Sequence, residues 1–209
     1  MRNLFLLAAA CAATAAAQQW ELGATIGYGA YRNASIYSPG GKVEAGFRNR
    51  FATGAVVGND LYEYVSGEIR YSYHDGDPFL ASGGKQGNIQ GQSHSFSYDV
   101  LFHVRPREER LRPYFTVGVG AKWFHTTGPA PDPQPFPGVA TLAPADQWRA
   151  LVTAGGGVKY DLPHHLRLRC DFLDYITPFP SNLFVPATGG TARGIFHQFT
   201  PSFGISVRM

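Results

Sequence analysis

Acidic and basic residues of this chain recur at every second position of several segments, a spacing that can bring opposite charges together. Glu68 and Arg70 form one such pair, and Arg169 and Asp171 form another. Six charged residues are predicted to face one shared interior: Glu68, Arg70, Asp99, Lys122, Arg169 and Asp171. Charges removed from bulk water must be paired or must keep bound water. We therefore predict that these side chains pair with one another and fill the interior, with a gated small pore as the alternative.

Serine and histidine occur together at two places where they could support nucleophilic catalysis. Ser93, His94 and Ser95 are consecutive, and His197 and Ser202 belong to one later segment. A serine nucleophile needs a histidine base, which is usually oriented by a carboxylate. The spacing places no orienting carboxylate beside either pair, and the sequence has no nucleophile elbow. We predict no catalytic residues, and catalysis remains the rival hypothesis.

Histidine and aspartate residues could also serve as metal ligands. The candidates are His74, Asp75, Asp77, His125, His164, His165 and His197. The adjacent His164 and His165 would point to opposite sides of a strand, and residues 74–77 lack the ligand number of a dedicated hard-cation site. Residues 155–157 are three glycines, but no Lys-Ser/Thr pair or helix follows them as in a phosphate loop. We therefore predict no metal site and no cofactor.

Residues 1–17 are predicted to be a secretory signal that is cleaved from the mature chain. Arg2 supplies a positive start, residues 4–13 are apolar, and three alanines before Gln18 form a cleavage site. The apolar run is shorter than the roughly 20 residues that a membrane-spanning helix needs. Lipidation at Cys11, which also follows three alanines, is the alternative. Cleavage leaves Cys170 as the one remaining cysteine and residues 18–209 as a single domain without an intramolecular disulfide.

The elements that must position the charged residues alternate between apolar and polar side chains with period two. This period predicts β-strands, and residues 65–74 show it most clearly, with Ile69 on one face and Glu68 and Arg70 on the other. Phe47 and Phe51 are expected on the same outward face of the second strand. The eight predicted strands are 20–31, a segment ending in 51–58, 65–74, 95–104, 114–123, 148–160, 166–172 and 195–209.

Long and short connections alternate between these strands. The predicted long loops are 32–42, 75–94, 125–147 and 174–194, and the predicted short turns are 59–64, 105–112 and 161–165. The long loops are rich in glycine, proline and polar residues, which favour irregular backbone. Pro201 lies inside the last strand, where its missing N–H predicts a bulge or a local bend.

An all-β, eight-stranded antiparallel barrel with its apolar face toward lipid explains this pattern better than a soluble barrel or a secreted sandwich. Aromatic residues gather at both strand ends, as in interfacial girdles. They are Trp20, Tyr62, Tyr64, Phe115 and Tyr160 on the short-turn side, and Tyr28, Tyr31, Tyr71, Tyr73, Trp123, Trp148 and Tyr175 on the long-loop side. The formal net charge of +3 and the lack of a basic stripe exclude nucleic acid as a partner.

Three stretches resemble a known family: residues 112–122 (RPYFTVGVGAK), 155–160 (GGGVKY) and 167–175 (RLRCDFLDY). The chain resembles outer-membrane β-barrel domain proteins of the outer-membrane protein A type. The resemblance implies location in the outer membrane, short periplasmic turns, long extracellular loops, and a structural or surface-interaction role. It implies lipid, lipopolysaccharide and the outer-membrane assembly machinery as partners, and a possible extracellular ligand at the long loops.

The chain departs from this family at its end, where residues 203–209 (FGISVRM) keep the alternation but lack the terminal aromatic residue. Two alternative functions stay open within the resemblance. One is a small, low-conductance channel. The other is a lipid-modifying enzyme that would use serine and histidine near the lipid-facing rim.

Overall fold

The computed structural model describes residues 19–192 and 194–209, so the predicted signal and Cys11 lie outside the described residues. The strands, numbered in chain order, are β1 (Trp20–Tyr31), β2 (Ala34–Ser38), β3 (Gly41–Phe47), β4 (Arg50–Asp60), β5 (Val65–Asp75), β6 (Pro78–Ser82), β7 (Lys85–Asn88), β8 (Gly91–His103), β9 (Leu111–Thr126), β10 (Ala140–Leu142), β11 (Asp146–Asp161), β12 (Leu166–Pro178), β13 (Phe184–Pro186) and β14 (Ile195–Arg208). Within these residues, no helix is long and apolar enough to cross a membrane.

Eight of these strands close into an antiparallel barrel, which confirms the predicted fold class. Their order around the barrel is β1-β14-β12-β11-β9-β8-β5-β4, and β1 closes the barrel by pairing with both β14 and β4. Apolar side chains point outward, and Ile26 and Val119 remain 64% and 66% exposed. The alternate positions are buried inside, where Glu68 and Asp99 are 0% exposed. The period-two pattern therefore separates two different environments.

The predicted long loops 32–42 and 75–94 are largely regular structure, whereas 125–147 and 174–194 contain only short strand segments, and this corrects the extents of all four. The strand β8 begins at Gly91, β9 continues to Thr126, and β12 continues to Pro178. Beyond the barrel wall, β2, β3, β6 and β7 form a four-stranded sheet, and β10 pairs with β13. We call these six strands and their connecting segments the head. Hydrogen bonding in these hairpins satisfies backbone groups that an irregular loop would leave to water.

An apolar core holds the head together and covers the adjacent end of the barrel. Its members are Ile36, Val43, Ala45, Phe47, Leu80, Phe124, Ala140, Leu142, Phe179, Leu183, Phe184 and Phe196. The Phe47 ring lies at its centre, 5.3 Å from the Phe124 ring and 5.4 Å from the Phe196 ring. The prediction that Phe47 shares the outward face of Phe51 is therefore wrong, because Phe47 belongs to β3 in the head rather than to the barrel wall.

The two aromatic girdles are present, with two corrections on the long-connection side. Trp20, Tyr62 and Phe115 are exposed at the short-turn end, and Trp123 stacks on Trp148 at the other end with ring centroids 6.0 Å apart. Tyr175 instead points inward and is 3% exposed. Tyr31 also packs inward, with its ring 5.2 Å from the ring of Phe47. Both tyrosines lie at odd-numbered positions of strands whose odd positions face inward, as Glu21 does in β1 and Asp171 does in β12.

Pro201 interrupts one ladder without adding a residue to the strand. The β1–β14 pairing passes from Gly27–Ser202 to Ala30–Phe199 and omits the two positions between them. The register is the same on both sides of this gap, so the predicted bulge does not form. Proline has no N–H to donate, so a hydrogen bond is missing between β14 and β1. The pairing of β14 with β12 is not affected and continues through Phe172–Pro201.

Candidate functional site: the barrel interior

Four carboxylates and three basic groups meet in the middle of the barrel. We call this set the lumen network, and its members are Glu21, Glu68, Asp99, Asp171, Arg70, Lys159 and Arg169. Inward positions of β1, β5, β8, β11 and β12 supply them. Adjacent inward positions on one strand are two residues apart, so Glu68–Arg70 and Arg169–Asp171 each place opposite charges side by side. The predicted ion pairing is confirmed for Glu68, Arg70, Asp99, Arg169 and Asp171. Glu21 and Lys159, which were not predicted to belong to the network, join it.

Arg70 and Arg169 link the carboxylates of four strands. The Arg70 guanidinium contacts Glu68 at 2.9 Å and both Asp99 and Asp171 at 3.0 Å. Arg169 contacts Asp171 and Glu68 at 3.0 Å and Glu21 of β1 at 3.4 Å. A planar guanidinium with five donors suits such multiple contacts better than an ammonium group does. The two arginines therefore cross-link the wall through its interior.

A second set of ion pairs lies nearer the short turns. Arg112 contacts Asp60 at 3.1 Å, and Asp161 contacts Arg167 at 2.5 Å and Arg208 at 2.8 Å. The sequence interpretation placed Asp60, Arg112 and Asp161 in turns, which is wrong for all three. Each lies two residues from an inward position of its own strand, so the period-two pattern extended by one step would have found them.

Lys122 lies inside the barrel as predicted but does not join the salt-bridged network. Its ammonium donates a hydrogen bond to the Gln198 side-chain carbonyl. Its nitrogen lies 5.6 Å from the ring centroid of Tyr31 and 5.8 Å from that of Tyr175. The nearest layer toward the head is the apolar core, which offers no carboxylate. Lys122 therefore lies at the boundary between the charged interior and the apolar core of the head.

Little space remains between these layers. A polar cavity lined by Arg70, Ser72, His74, Tyr175 and Thr200, among others, has a volume of about 10 Å³. Such a volume holds about one water molecule. The Tyr175 hydroxyl and the Ser72 hydroxyl close it from one side, 2.8 Å apart. Eight strands enclose an interior just wide enough for side chains to fill, and here the side chains fill it.

The serine and histidine candidates do not assemble into a catalytic pair. Ser93 and Ser95 are buried on the inner face of β8, whereas His94 between them points outward and shares a hydrogen bond of 2.9 Å with the Tyr71 hydroxyl. On β14, Ser202 is on the inner face, and His197 pairs with Asp174 at 2.7 Å. Alternation along a strand separates neighbouring residues by the thickness of the wall.

The metal-ligand candidates are dispersed over the barrel. Asp75 and Asp77 both pair with Arg50, at 3.1 and 2.7 Å, and His74 is buried inside the barrel. His164 and His165 are in a short turn with positive φ angles. Among residues 19–192 and 194–209, no group of three or more His, Cys, Asp or Glu side chains could hold a metal ion.

The remaining motifs belong to the wall. Cys170 is exposed on the outer face of β12, as predicted for a small apolar side chain. Gly155 and Gly157 are in β11, where the neighbouring strands leave no room for a side chain: a Cβ atom at Gly155 would lie 2.9 Å from the Leu173 side chain. These glycines allow close packing of the barrel wall and do not form a phosphate loop.

A closed antiparallel barrel with an apolar outer face, aromatic girdles and a charged interior defines the class of transmembrane β-barrels. Residues 4–183 match the family described as outer membrane protein beta-barrel domain. The chain belongs to this family and is an outer-membrane protein. No curated protein matches the chain in sequence.

Solved structures with the same fold include three outer-membrane proteins. OprG from Pseudomonas aeruginosa is 12% identical with a TM-score of 0.56, covering 91% of this chain and 95% of that one. A major outer membrane protein from Thermus thermophilus is 15% identical with a TM-score of 0.52, covering 91% and 99%. Neisserial surface protein A is 10% identical with a TM-score of 0.50, covering 91% and 97%. At these identities the likeness establishes the fold alone.

Proposed function

We propose that this protein is a closed, non-conducting barrel that anchors a folded head at the cell surface, with a structural or surface-interaction role. One observation carries the proposal: the interior is blocked by two successive layers of different chemistry. The lumen network fills the middle of the barrel, and the apolar core of the head covers its long-connection end. The long connections would face the extracellular side.

The charged layer opposes conduction because its groups bind one another. A conducting filter binds ions weakly enough to release them and offers them a continuous polar path. Here Glu68 already contacts three basic side chains and Asp171 contacts two, and both carboxylates are 0–2% exposed. An ion would have to separate these pairs, and leaving a buried charge unpaired costs about 3–5 kcal/mol.

The apolar layer opposes conduction by excluding water. Phe124 and Phe184 are 0% exposed within the cap, and their rings surround Phe47 with centroids 5.3 and 5.6 Å away. An ion crossing this layer would lose its hydration without gaining a polar partner. The head therefore closes this end of the barrel with a packed apolar core. Its outer surface is the part that would contact an extracellular ligand.

The other partners in this proposal follow from the membrane location. Lipid and lipopolysaccharide would contact the outer face between the girdles, and the assembly machinery would insert the barrel. No catalytic role is proposed, because the candidate serines and histidines lie on opposite faces of β8 and β14.

Planar-bilayer recording of the purified protein tests the closed barrel. We expect no steady conductance above the bare bilayer, while a porin inserted under the same conditions conducts. Arg70→Ala serves as a matched variant, because it removes the side chain that bridges three carboxylates. A leak through the barrel should grow in this variant, whereas a leak around the protein should not. Steady, large conductance from the unmodified protein would refute the proposal.

A further inference from the structure

A cleft of about 500 Å³ lies between the barrel wall and the four-stranded sheet of the head, and it is open to solvent. We call it the rim cleft, and its lining residues are Tyr31, Asn33, Phe47, Arg48, Asn49, Arg50, Phe79 and Gln86. Small-molecule sites have volumes of roughly 300–1,000 Å³. We propose that the rim cleft binds one phosphorylated sugar of the lipopolysaccharide headgroup, an assignment that rests on the extracellular head of the proposed function.

The rim cleft contains one cation that is available to bind a phosphate. Two of its eight lining residues are arginines, and none of the eight is acidic. Arg50 contacts Asp75 at 3.1 Å and Asp77 at 2.7 Å, so its charge is compensated. Arg48 is exposed and donates to the Asn88 side-chain oxygen at 3.4 Å, and no carboxylate in the described part of the chain pairs with it. An arginine guanidinium can bind a phosphate through two parallel hydrogen bonds.

Amide groups and an aromatic ring provide the contacts that the rest of a sugar needs. Asn33, Asn49 and Gln86 are exposed in the rim cleft, and an amide can donate and accept hydrogen bonds, as a sugar hydroxyl does. The Asn49 side-chain oxygen accepts from the Tyr31 N–H at 2.9 Å, so its amide nitrogen is left to donate to a ligand. The ring of Phe79 is partly exposed. Its negative face offers an apolar surface to the C–H groups of a sugar ring.

The position of the rim cleft at the membrane boundary indicates the source of this sugar. Tyr28 belongs to the aromatic girdle on the long-connection side and is 50% exposed. Its hydroxyl donates to the backbone oxygen of Asn49 at 3.1 Å, so a girdle residue contacts the lining of the cleft. Aromatic girdles lie at the level of the lipid headgroups. The phosphorylated sugars of lipopolysaccharide occupy that level in the outer leaflet, whereas a soluble glycan would have to reach down to it.

Native mass spectrometry of the full-length protein in detergent, titrated with lipid A, tests the site. Lipid A is the phosphorylated and acylated disaccharide of lipopolysaccharide. The unmodified protein should bind lipid A about tenfold more tightly than dephosphorylated lipid A, because a charge-assisted hydrogen bond is about twice as strong as a neutral one. Arg48→Gln should lose this preference, and Lys42→Gln, which removes an exposed cation of the same sheet, should keep it. Equal affinity of the unmodified protein for the two forms, or a preference that survives Arg48→Gln, would overturn the proposal.

A second variant and a soluble probe test the sugar contacts and the source. The combined change Asn33→Ala and Gln86→Ala should weaken the binding of both forms of lipid A about fivefold and leave the preference intact, because the amides contact hydroxyls rather than the phosphate. Unchanged affinity in this variant would overturn the proposal. So would a soluble hyaluronate oligosaccharide, which has sugar carboxylates but no acyl chains, if it bound more tightly than lipid A with the same dependence on Arg48.

Labelling of whole cells separates a failure of the site from a failure of the proposed function. Lys85→Cys places a thiol at an exposed position of β7, and this thiol should react with a membrane-impermeant maleimide. The unmodified protein, in which Cys170 faces lipid, should not react. An unlabelled Lys85→Cys protein would contradict the extracellular head and this site with it, whereas labelled protein without the lipid A preference would overturn the site alone.

Discussion

Glu68 is the residue on which the interior charges converge. It is 0% exposed and contacts Arg70 at 2.9 Å, Lys159 at 2.6 Å and Arg169 at 3.0 Å. Three cations around one carboxylate hold three strands in a fixed arrangement. The attraction between buried ions hardly exceeds the free energy needed to remove them from water. Glu68 therefore stabilises the barrel mainly because it keeps these cations from being buried without a counter-charge.

Replacing this carboxylate tests whether the charges are truly buried. Glu68→Gln keeps the shape of the side chain but leaves three cations with one counter-charge fewer. We expect a loss of about 3–5 kcal/mol in the free energy of unfolding, measured by urea titration in lipid vesicles with the gel mobility of the folded barrel as the readout. Glu44→Gln, at an exposed position of β3, is the matched control and should change the free energy by less than about 0.5 kcal/mol.

A different result would contradict the description of the interior. If Glu68→Gln and Glu44→Gln lost the same small amount of stability, Glu68 would have to be in contact with water.

At the residue scale, the sequence predicted which side of the wall a charge faces but not which partner it meets. Glu68, Arg70 and Asp171 alternate with apolar residues, so their inward direction followed from parity alone. Lys122 has the same parity, yet it lies too far along the barrel to reach a carboxylate and bonds Gln198 instead. The height of a residue along the barrel depends on the stagger between strands, which one sequence does not reveal.

At the scale of elements, the strands fall into two groups that lie in different surroundings. The eight barrel strands separate lipid from a filled interior, so their alternation is strong and they were predicted. The strands of the head have water on one side and a small core on the other, and several are only three to five residues long. A segment such as β10 (Ala140–Leu142) is too short to show a period. The head was therefore interpreted as loops.

The packing of the head can be tested separately from the barrel. Phe47→Ala removes the ring that contacts Phe124, Phe184 and Phe196. A large-to-small change of this kind costs about 3–5 kcal/mol. We expect faster hydrogen exchange and faster proteolysis in the head, with unchanged gel mobility of the folded barrel.

Tyr37→Ala is the matched control for that experiment. Tyr37 is an aromatic residue of the same sheet but is 55% exposed, so its removal should leave hydrogen exchange in the head unchanged. Protection that is equally high in Phe47→Ala would show that the head does not depend on its apolar core.

At the scale of the whole molecule, three environments follow one another along the barrel axis. Ion pairs of Asp60, Arg112 and Asp161 lie near the short turns, the lumen network fills the middle, and the apolar core of the head lies at the other end. Hydrocarbon surrounds the outer face of the barrel. Each environment matches the side chains that face it, and consistency of this kind across levels favours a single fold.

The fold class followed from the sequence because the membrane imposes one rule on every strand: apolar outward, polar inward. The sequence did not predict to the same degree that the apolar core of the head closes the barrel interior. The apolar cap depends on Phe47, Phe124 and Phe196, which come from three distant parts of the chain. These side chains come into contact only in the tertiary structure, so no local spacing in the sequence predicts the contact.

Solid-state NMR of the protein in lipid bilayers tests the central claim most directly, because magnetisation can be started either on lipid chains or on water. We predict rapid transfer from lipid chains to Ile26 and Val119, rapid transfer from water to Lys42 in the head, and slow transfer from water to Glu68 and Arg70. Transfer from water to Glu68 and Arg70 as fast as to Lys42 would mean an open, wet interior and would contradict the account.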